Sequence, residues 1–127
     1  MFGVQKFFVC EHCGNFVGLI YDGQVPMICC GEKMKEVEPN TVEASAEKHL
    51  PVVTVNGEDI NVKIGSAAHP MSEDHYIQWV YVETERGGQR KGFKPGETPE
   101  LNFKVVDDKP VAVFAYCNLH GLWKTQL

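Results

Sequence analysis

Apolar and polar positions alternate most cleanly over residues 51–64. Pro51-Val52-Val53-Thr54-Val55 leads into Asn56-Gly57, and Asp59-Ile60-Asn61-Val62-Lys63-Ile64 follows with Ile60, Val62 and Ile64 on one face. Two such runs around Asn-Gly predict a hairpin, and Asn-Gly suits a type I′ turn. His75 to Glu83 predicts another strand, with Ile77, Trp79 and Tyr81 facing one way. Leu101–Val106 and Val111–Tyr116 predict two more, separated by Asp107-Asp108-Lys109-Pro110, while Gly87-Gly88 and Lys94-Pro95-Gly96 predict turns. Short strands broken by frequent turn signals predict an all-β fold, a small sandwich of immunoglobulin type.

The start of the chain reads differently. Val4–Val9 and Asn15–Tyr21 predict short strands, with Asp22-Gly23 as a turn signal. Residues 1–37 hold four of the five cysteines and are too few to build a self-sufficient core. Chains below about 40 residues usually need a metal, disulfides or a partner. Residues 38–47 are polar, carry Pro39 and read as a linker, with Asn40 or Thr41 as the cap of a short helical turn. The expected organisation is a metal-held module over 1–37, a linker over 38–47 and a β-sandwich over 48–127.

Composition narrows the function. The chain has 127 residues, 43% of them apolar and 23% charged, near the globular average. No apolar run approaches the roughly 20 residues that span a bilayer, so no membrane role is expected. The first residues lack the charged and apolar regions of a secretory signal, which makes a cytoplasmic location the expectation. Twelve basic against seventeen acidic residues give a net charge of −5, the wrong sign for a nucleic-acid partner. An anionic substrate would need a local positive patch to be captured.

Five cysteines in a reducing compartment read as metal binding or catalysis before disulfides. Cys10-x-x-Cys13 places two thiolates on one knuckle, and Cys29-Cys30 follows after fifteen intervening residues. Gly14 and Gly31 let the backbone turn beside each pair. Four soft thiolates suit a tetrahedral zinc or a single iron, and spacing does not decide between them; two disulfides are the remaining reading. His12 reads as an exposed loop residue.

His49, His69, His75, Cys117 and His120 form a second constellation. Singly, each histidine reads as a surface or core residue and the cysteine as a small hydrophobe. Together they fall at strand ends and in loops, where binding residues concentrate. Four imidazoles and one thiolate suit a transition metal such as iron, with one octahedral position left open. A thiolate opposite that position pushes electron density towards whatever binds there.

Seven segments then carry a family resemblance. They are Cys10-Glu11-His12-Cys13-Gly14-Asn15, Cys29-Cys30-Gly31-Glu32-Lys33-Met34-Lys35, Glu47-Lys48-His49-Leu50-Pro51-Val52, His69-Pro70-Met71, His75-Tyr76-Ile77-Gln78-Trp79, Phe93-Lys94-Pro95-Gly96 and Tyr116-Cys117-Asn118-Leu119-His120-Gly121-Leu122-Trp123-Lys124. Over essentially the whole chain the sequence resembles the desulfoferrodoxins, the two-iron class of superoxide reductase.

The resemblance implies two iron ions per chain, with neither haem nor flavin. Cys10, Cys13, Cys29 and Cys30 would hold the first in a desulforedoxin-like domain. His49, His69, His75 and His120 would surround the second, with Cys117 as axial ligand. Glu47 would take the sixth position in the oxidised state, and Lys48 would stand beside it as the cation that attracts the anionic substrate. The implied activity is one-electron reduction of superoxide to hydrogen peroxide without release of dioxygen. The implied partners are superoxide, an electron donor such as rubredoxin, and a second copy in a homodimer. The rival is a rubredoxin-like electron carrier with a non-catalytic β-domain; a zinc-stabilised interaction domain and a dismutase are weaker alternatives.

Overall fold

A computed structural model describes residues 3–40, 46–67 and 69–127, and for 46 and 47 the backbone alone. The chain divides into two compact units, Met1–Glu38 and Pro39–Leu127.

In the first unit, strands β1 (Lys6–Val9), β2 (Phe16–Leu19) and β5 (Lys35–Glu36) form a sheet in the order β2-β1-β5. Strands β3 (Ile28–Cys29) and β4 (Glu32–Lys33) form a separate minimal hairpin. Asp22 makes the expected turn by accepting from the Gln24 backbone N–H at 2.7 Å. Among this unit's described residues only Phe7 and Cys10 are buried. Two buried side chains do not make a core, so the unit's order must come from elsewhere.

The second unit is a two-sheet sandwich preceded by one helical turn, α1 (Ala46–His49). One sheet is β10-β7-β6, from β6 (Pro51–Asn56), β7 (Asp59–Ile64) and β10 (Glu100–Lys104). The other is β12-β11-β8-β9, from β8 (Ile77–Thr84), β9 (Gly87–Gly92), β11 (Pro110–Cys117) and β12 (Gly121–Gln126). Ile60, Val62 and Ile64 face inward as their alternation predicts, and meet Val80, Val82, Phe103, Val113, Ala115 and Cys117 in one apolar cluster. Thr125 Oγ1 donates to the Pro51 carbonyl at 2.7 Å and ties the sheets together. Among the described residues no helix is long and apolar enough to cross a membrane.

Several details depart from the sequence expectations. The first hairpin pairs Asn56 with Asp59, so its two-residue loop is Gly57-Glu58. Only Gly57 of the two has positive φ, +62°, which fits a type II′ rather than a type I′ turn. On β8 the pairing slips between Tyr116 and Cys117, where Trp79 and Ile77 are the partners and Gln78 is the extra residue. This bulge puts Ile77 on the core side with Val80 and Val82, while Trp79 and Tyr81 face the other way, against Tyr116 and Phe114. Gly87 and Gly88 lie inside β9, and the turn is Glu85-Arg86. Asn40 bridges to Trp123, receiving from Lys124 N–H at 3.0 Å and donating to the Leu122 carbonyl at 2.8 Å. The residues after it that would form the expected capped turn, 41–45, lie outside the described residues, and with them Thr41, the other expected cap.

Candidate metal centres

The four-cysteine group rests on two tight turns. In the first, the Cys10 backbone N–H donates to the Asn15 carbonyl at 2.8 Å and Gly14 N–H to the Cys10 carbonyl at 2.9 Å, with Gly14 at φ +82°. In the second, Cys29 pairs with Glu32, which leaves Cys30-Gly31 as the hairpin loop. Both loop residues have positive φ, +53° and +77°, the requirement of a type I′ turn. This left-handed Cys30 lets two adjacent cysteines face one point, which successive residues of an extended strand do not do.

The four sulfurs lie within 4.8 Å of one another, with Cys13 and Cys29 at 3.7 Å. Metal–sulfur bonds of about 2.3 Å give a tetrahedron with edges of about 3.8 Å. All four thiols are free, so the disulfide reading is not what this structure adopts. N–H donors already surround them: Cys13 N–H reaches Cys10 Sγ at 3.5 Å, Asn15 N–H reaches Cys13 Sγ at 3.5 Å, and Asn15 Nδ2 reaches Cys29 Sγ at 3.6 Å. The Cys13 backbone N–H is the main reason that the Cys10 thiol is held down to about 6. Its neighbours Cys10 and Cys13 push Cys30 up to about 12, and Cys29 also rises. Four thiolates at this spacing need a cation between them. His12 is exposed and pairs with Glu32 at 3.1 Å, apart from the sulfurs.

The second group draws on four parts of the sandwich. His49 ends α1, His69 follows β7, His75 precedes β8, and Cys117 and His120 flank the β11–β12 turn, closed by Gly121 at φ +83°. Their donor atoms all lie within 4.8 Å of one another. The imidazoles form a closed cycle, His49–His69–His75–His120–His49. Centroids are 4.7–4.9 Å apart and each ring stands at 71–79° to the next. His49 Nε2 and His120 Nδ1 are 3.2 Å apart, near the 3 Å expected of adjacent nitrogens about 2.1 Å from a common ion. Cys117 Sγ lies 3.7 Å from the same His120 nitrogen, on the core side and fully buried.

The protonation pattern fits a metal. His69 Nδ1–H donates to the Pro70 carbonyl at 2.6 Å, which fixes its tautomer and leaves Nε2 as a bare lone pair. His69 Nε2 and His75 Nε2 are both buried without a hydrogen-bond partner. A buried imidazole nitrogen in that state costs free energy unless something else binds it. Burial is the first cause that lowers His69 to about 4 and that lowers His75. Both are neutral at pH 7, as ligands must be. The Lys48 charge also bears on His75, so this exposed cation is electrically close to the group. The Glu47 side chain lies outside the described residues.

Three supporting residues escaped the sequence reading. Trp123 stacks on His49 and donates from Nε1 to the His120 carbonyl at 3.1 Å. Gly65 has φ +79°, and a Cβ there would stand 2.7 Å from the Lys48 carbonyl. Asn118 hydrogen-bonds both neighbours of His75. Asn118 and Trp123 lie in the segment around Cys117 and His120 that carries the family resemblance, which is their signal in the sequence; Gly65 has none.

Comparison with known proteins agrees with this geometry. A family model described as Desulfoferrodoxin matches residues 41–126. A desulfoferrodoxin homolog of Archaeoglobus fulgidus is 43% identical over 122 residues, 96% of this chain and 97% of its own. A desulfoferrodoxin of Nitratidesulfovibrio vulgaris is 40% identical over 95% of both chains. The superoxide reductase crystal structure from Treponema pallidum superposes with TM-score 0.83 at 34% identity, covering 97% of this chain and 98% of that one. The fold and paired donor groups are those of an all-β non-haem iron protein with superoxide reductases among its structural neighbours. The chain belongs to the desulfoferrodoxin family, and its four-cysteine and four-histidine-one-cysteine groups fit two iron ions per chain.

Proposed function

We propose that the chain is a superoxide reductase, adding one electron and two protons to superoxide to give hydrogen peroxide, with no dioxygen formed. The observation that carries this is the cycle of four imidazoles over one buried thiol, all with donor atoms close enough to share one ion. Iron held there supplies the single electron.

The chain's own residues supply the rest. His49, His69, His75 and His120 would hold the ion through ring nitrogens, with burial keeping those of His69 and His75 unprotonated. Cys117, as the buried thiolate, is an electron-rich donor from the core side, which favours giving the electron away. Lys48 is the local cation that a chain of net charge −5 needs to attract an anion. Glu47, next in sequence to Lys48, would offer a carboxylate to the same ion in its oxidised state. Residues 1–37, with Cys10, Cys13, Cys29 and Cys30, form the electron-relay or structural module, and residues 48–127 the catalytic one. On the same reading the protein works in the cytoplasm as a homodimer, fed by a donor such as rubredoxin.

A rubredoxin-like carrier with a passenger β-domain has no use for the second donor group. Elemental analysis of protein from iron-replete cells separates the two readings. About two irons per chain, with rapid bimolecular consumption of superoxide by the reduced protein, supports the reductase. No iron in the four-histidine-one-cysteine group, or iron there without that reaction, overturns it.

A further inference from the structure

The strand pairing that carries Cys117 ends with an irregular rung. Cys117 stands opposite Ile77, and the next rung would pair Asn118 with Tyr76. In a regular antiparallel pair these two residues would exchange both backbone hydrogen bonds. Half of that exchange is present: the Asn118 N–H donates to the Tyr76 carbonyl at 3.3 Å. The other half is made by a side chain. Tyr76 N–H donates at 3.0 Å to Asn118 Oδ1 in place of the Asn118 carbonyl.

This substitution has a geometric consequence. The side-chain oxygen continues the ladder for one rung while the Asn118 main chain turns away towards His120. The same amide then reaches one residue further, with Nδ2 donating to the Asp74 carbonyl at 2.9 Å. Asn118 therefore grips the residues on both sides of His75. The His75 backbone is pinned separately, through its exchange with Ser72 at 3.0 and 3.2 Å.

We propose that Asn118 is the positioning residue that fixes His75 relative to Cys117 and His120, so that one imidazole and one thiolate from different loops stay aimed at the same ion. The proposal rests on the iron reading above.

The chemistry singles out asparagine. One side chain must accept from Tyr76 N–H and donate to the Asp74 carbonyl at once. Aspartate accepts only, and would set a carboxylate oxygen against that carbonyl. Alanine does neither. Glutamine places its amide one carbon too far out to stand in for the main-chain carbonyl.

The test uses the full chain loaded with both irons, comparing wild type with Asn118→Ala and Asn118→Asp. Two quantities are read: the rate at which a chelator withdraws iron from each site, and the thiolate-to-iron absorption of the second site. Residues that orient metal ligands typically change metal affinity by about 10–100-fold. Asn118→Ala is expected to lose iron from the second site at least about tenfold faster, with a shifted absorption band, while the four-cysteine iron leaves at the wild-type rate. Asn118→Asp, which keeps the Tyr76 contact, falls between. Should the alanine variant not fold, the aspartate variant decides by the same two readings. Unchanged iron retention and spectrum overturn the proposal, as does equal loss from both sites, which marks general unfolding. A wild type that holds no second iron overturns the iron reading too.

Discussion

The indole of Trp123 lies flat against the imidazole of His49, with centroids 4.7 Å apart and planes 15° from parallel. Its N–H donates to the His120 carbonyl. One buried side chain thus braces two members of the imidazole cycle, from the first and last parts of the sandwich. Replacing Trp123 by Phe keeps a stacking face and removes the donor. The expected cost is about 1 kcal/mol in chemical denaturation, the usual worth of one such bond. Trp123→Ala removes the stack as well and costs about 3–5 kcal/mol. Iron content of the second site is expected to follow the same order.

Gly65 is predicted to be irreplaceable for a different reason. It needs φ +79°, and an added Cβ would sit 2.5 Å from the Ala67 carbonyl oxygen and 2.7 Å from that of Lys48. Gly65→Ala combines backbone strain of about 1–3 kcal/mol with a push on the turn that carries Lys48 and His49. Iron in the second site is expected to fall, while the four-cysteine site, in the other unit, keeps its absorption.

The two sulfur groups are predicted to separate cleanly by mutation. Cys117→Ser is expected to abolish both the thiolate-to-iron absorption of the second site and the superoxide reaction. Cys13→Ser is expected to leave the reaction of the reduced second site with superoxide intact. Rapid-mixing absorbance at each site's own band reads both outcomes.

Much of this architecture was legible because it depends on local pattern. The alternation of Ile60, Val62 and Ile64 fixes which face of β7 is buried, and cysteine and histidine spacing marks both donor groups. What stayed hidden depends on partners distant in sequence. The extra residue at Gln78 turns Ile77 inward only because of how β8 pairs with β11. Strand β9 has no apolar side chain and is fully exposed, so it carries no periodic signal. Strand β12 buries Leu122 and Trp123 in succession, on opposite faces, which defeats a two-residue period. Cys30 at positive φ contradicts residue preference, and the turn demands it because two adjacent thiols must face one point.

The apoprotein is predicted to weaken in mild acid. Burial lowers His69 to about 4 and lowers His75 as well, so in the folded chain both resist protonation. The unfolded chain protonates them near 6.5. Between those values the unfolded state binds more protons, so stability rises with pH and is lost as pH falls from about 6.5 towards 4. Denaturation midpoints of the apoprotein across that range are expected to fall steadily. In His69→Gln, which removes the most strongly shifted group, the slope is expected to be shallower.

Lys48 gives the last prediction, one in which rate and structure part company. Its charge reaches His75, yet it is exposed and belongs to neither donor group. Lys48→Ala should therefore leave both irons bound and both spectra in place. The second-order rate with superoxide should still fall, because the remaining surface of an acidic protein repels the anion. A drop of roughly tenfold at low ionic strength is in the range that electrostatic steering produces. Salt distinguishes this from a damaged site: screening weakens steering, so wild type and variant should converge as ionic strength rises towards 1 M. A variant equally slow at every salt concentration would place the lysine in the chemistry instead, and an unchanged rate at low salt would remove it from the mechanism.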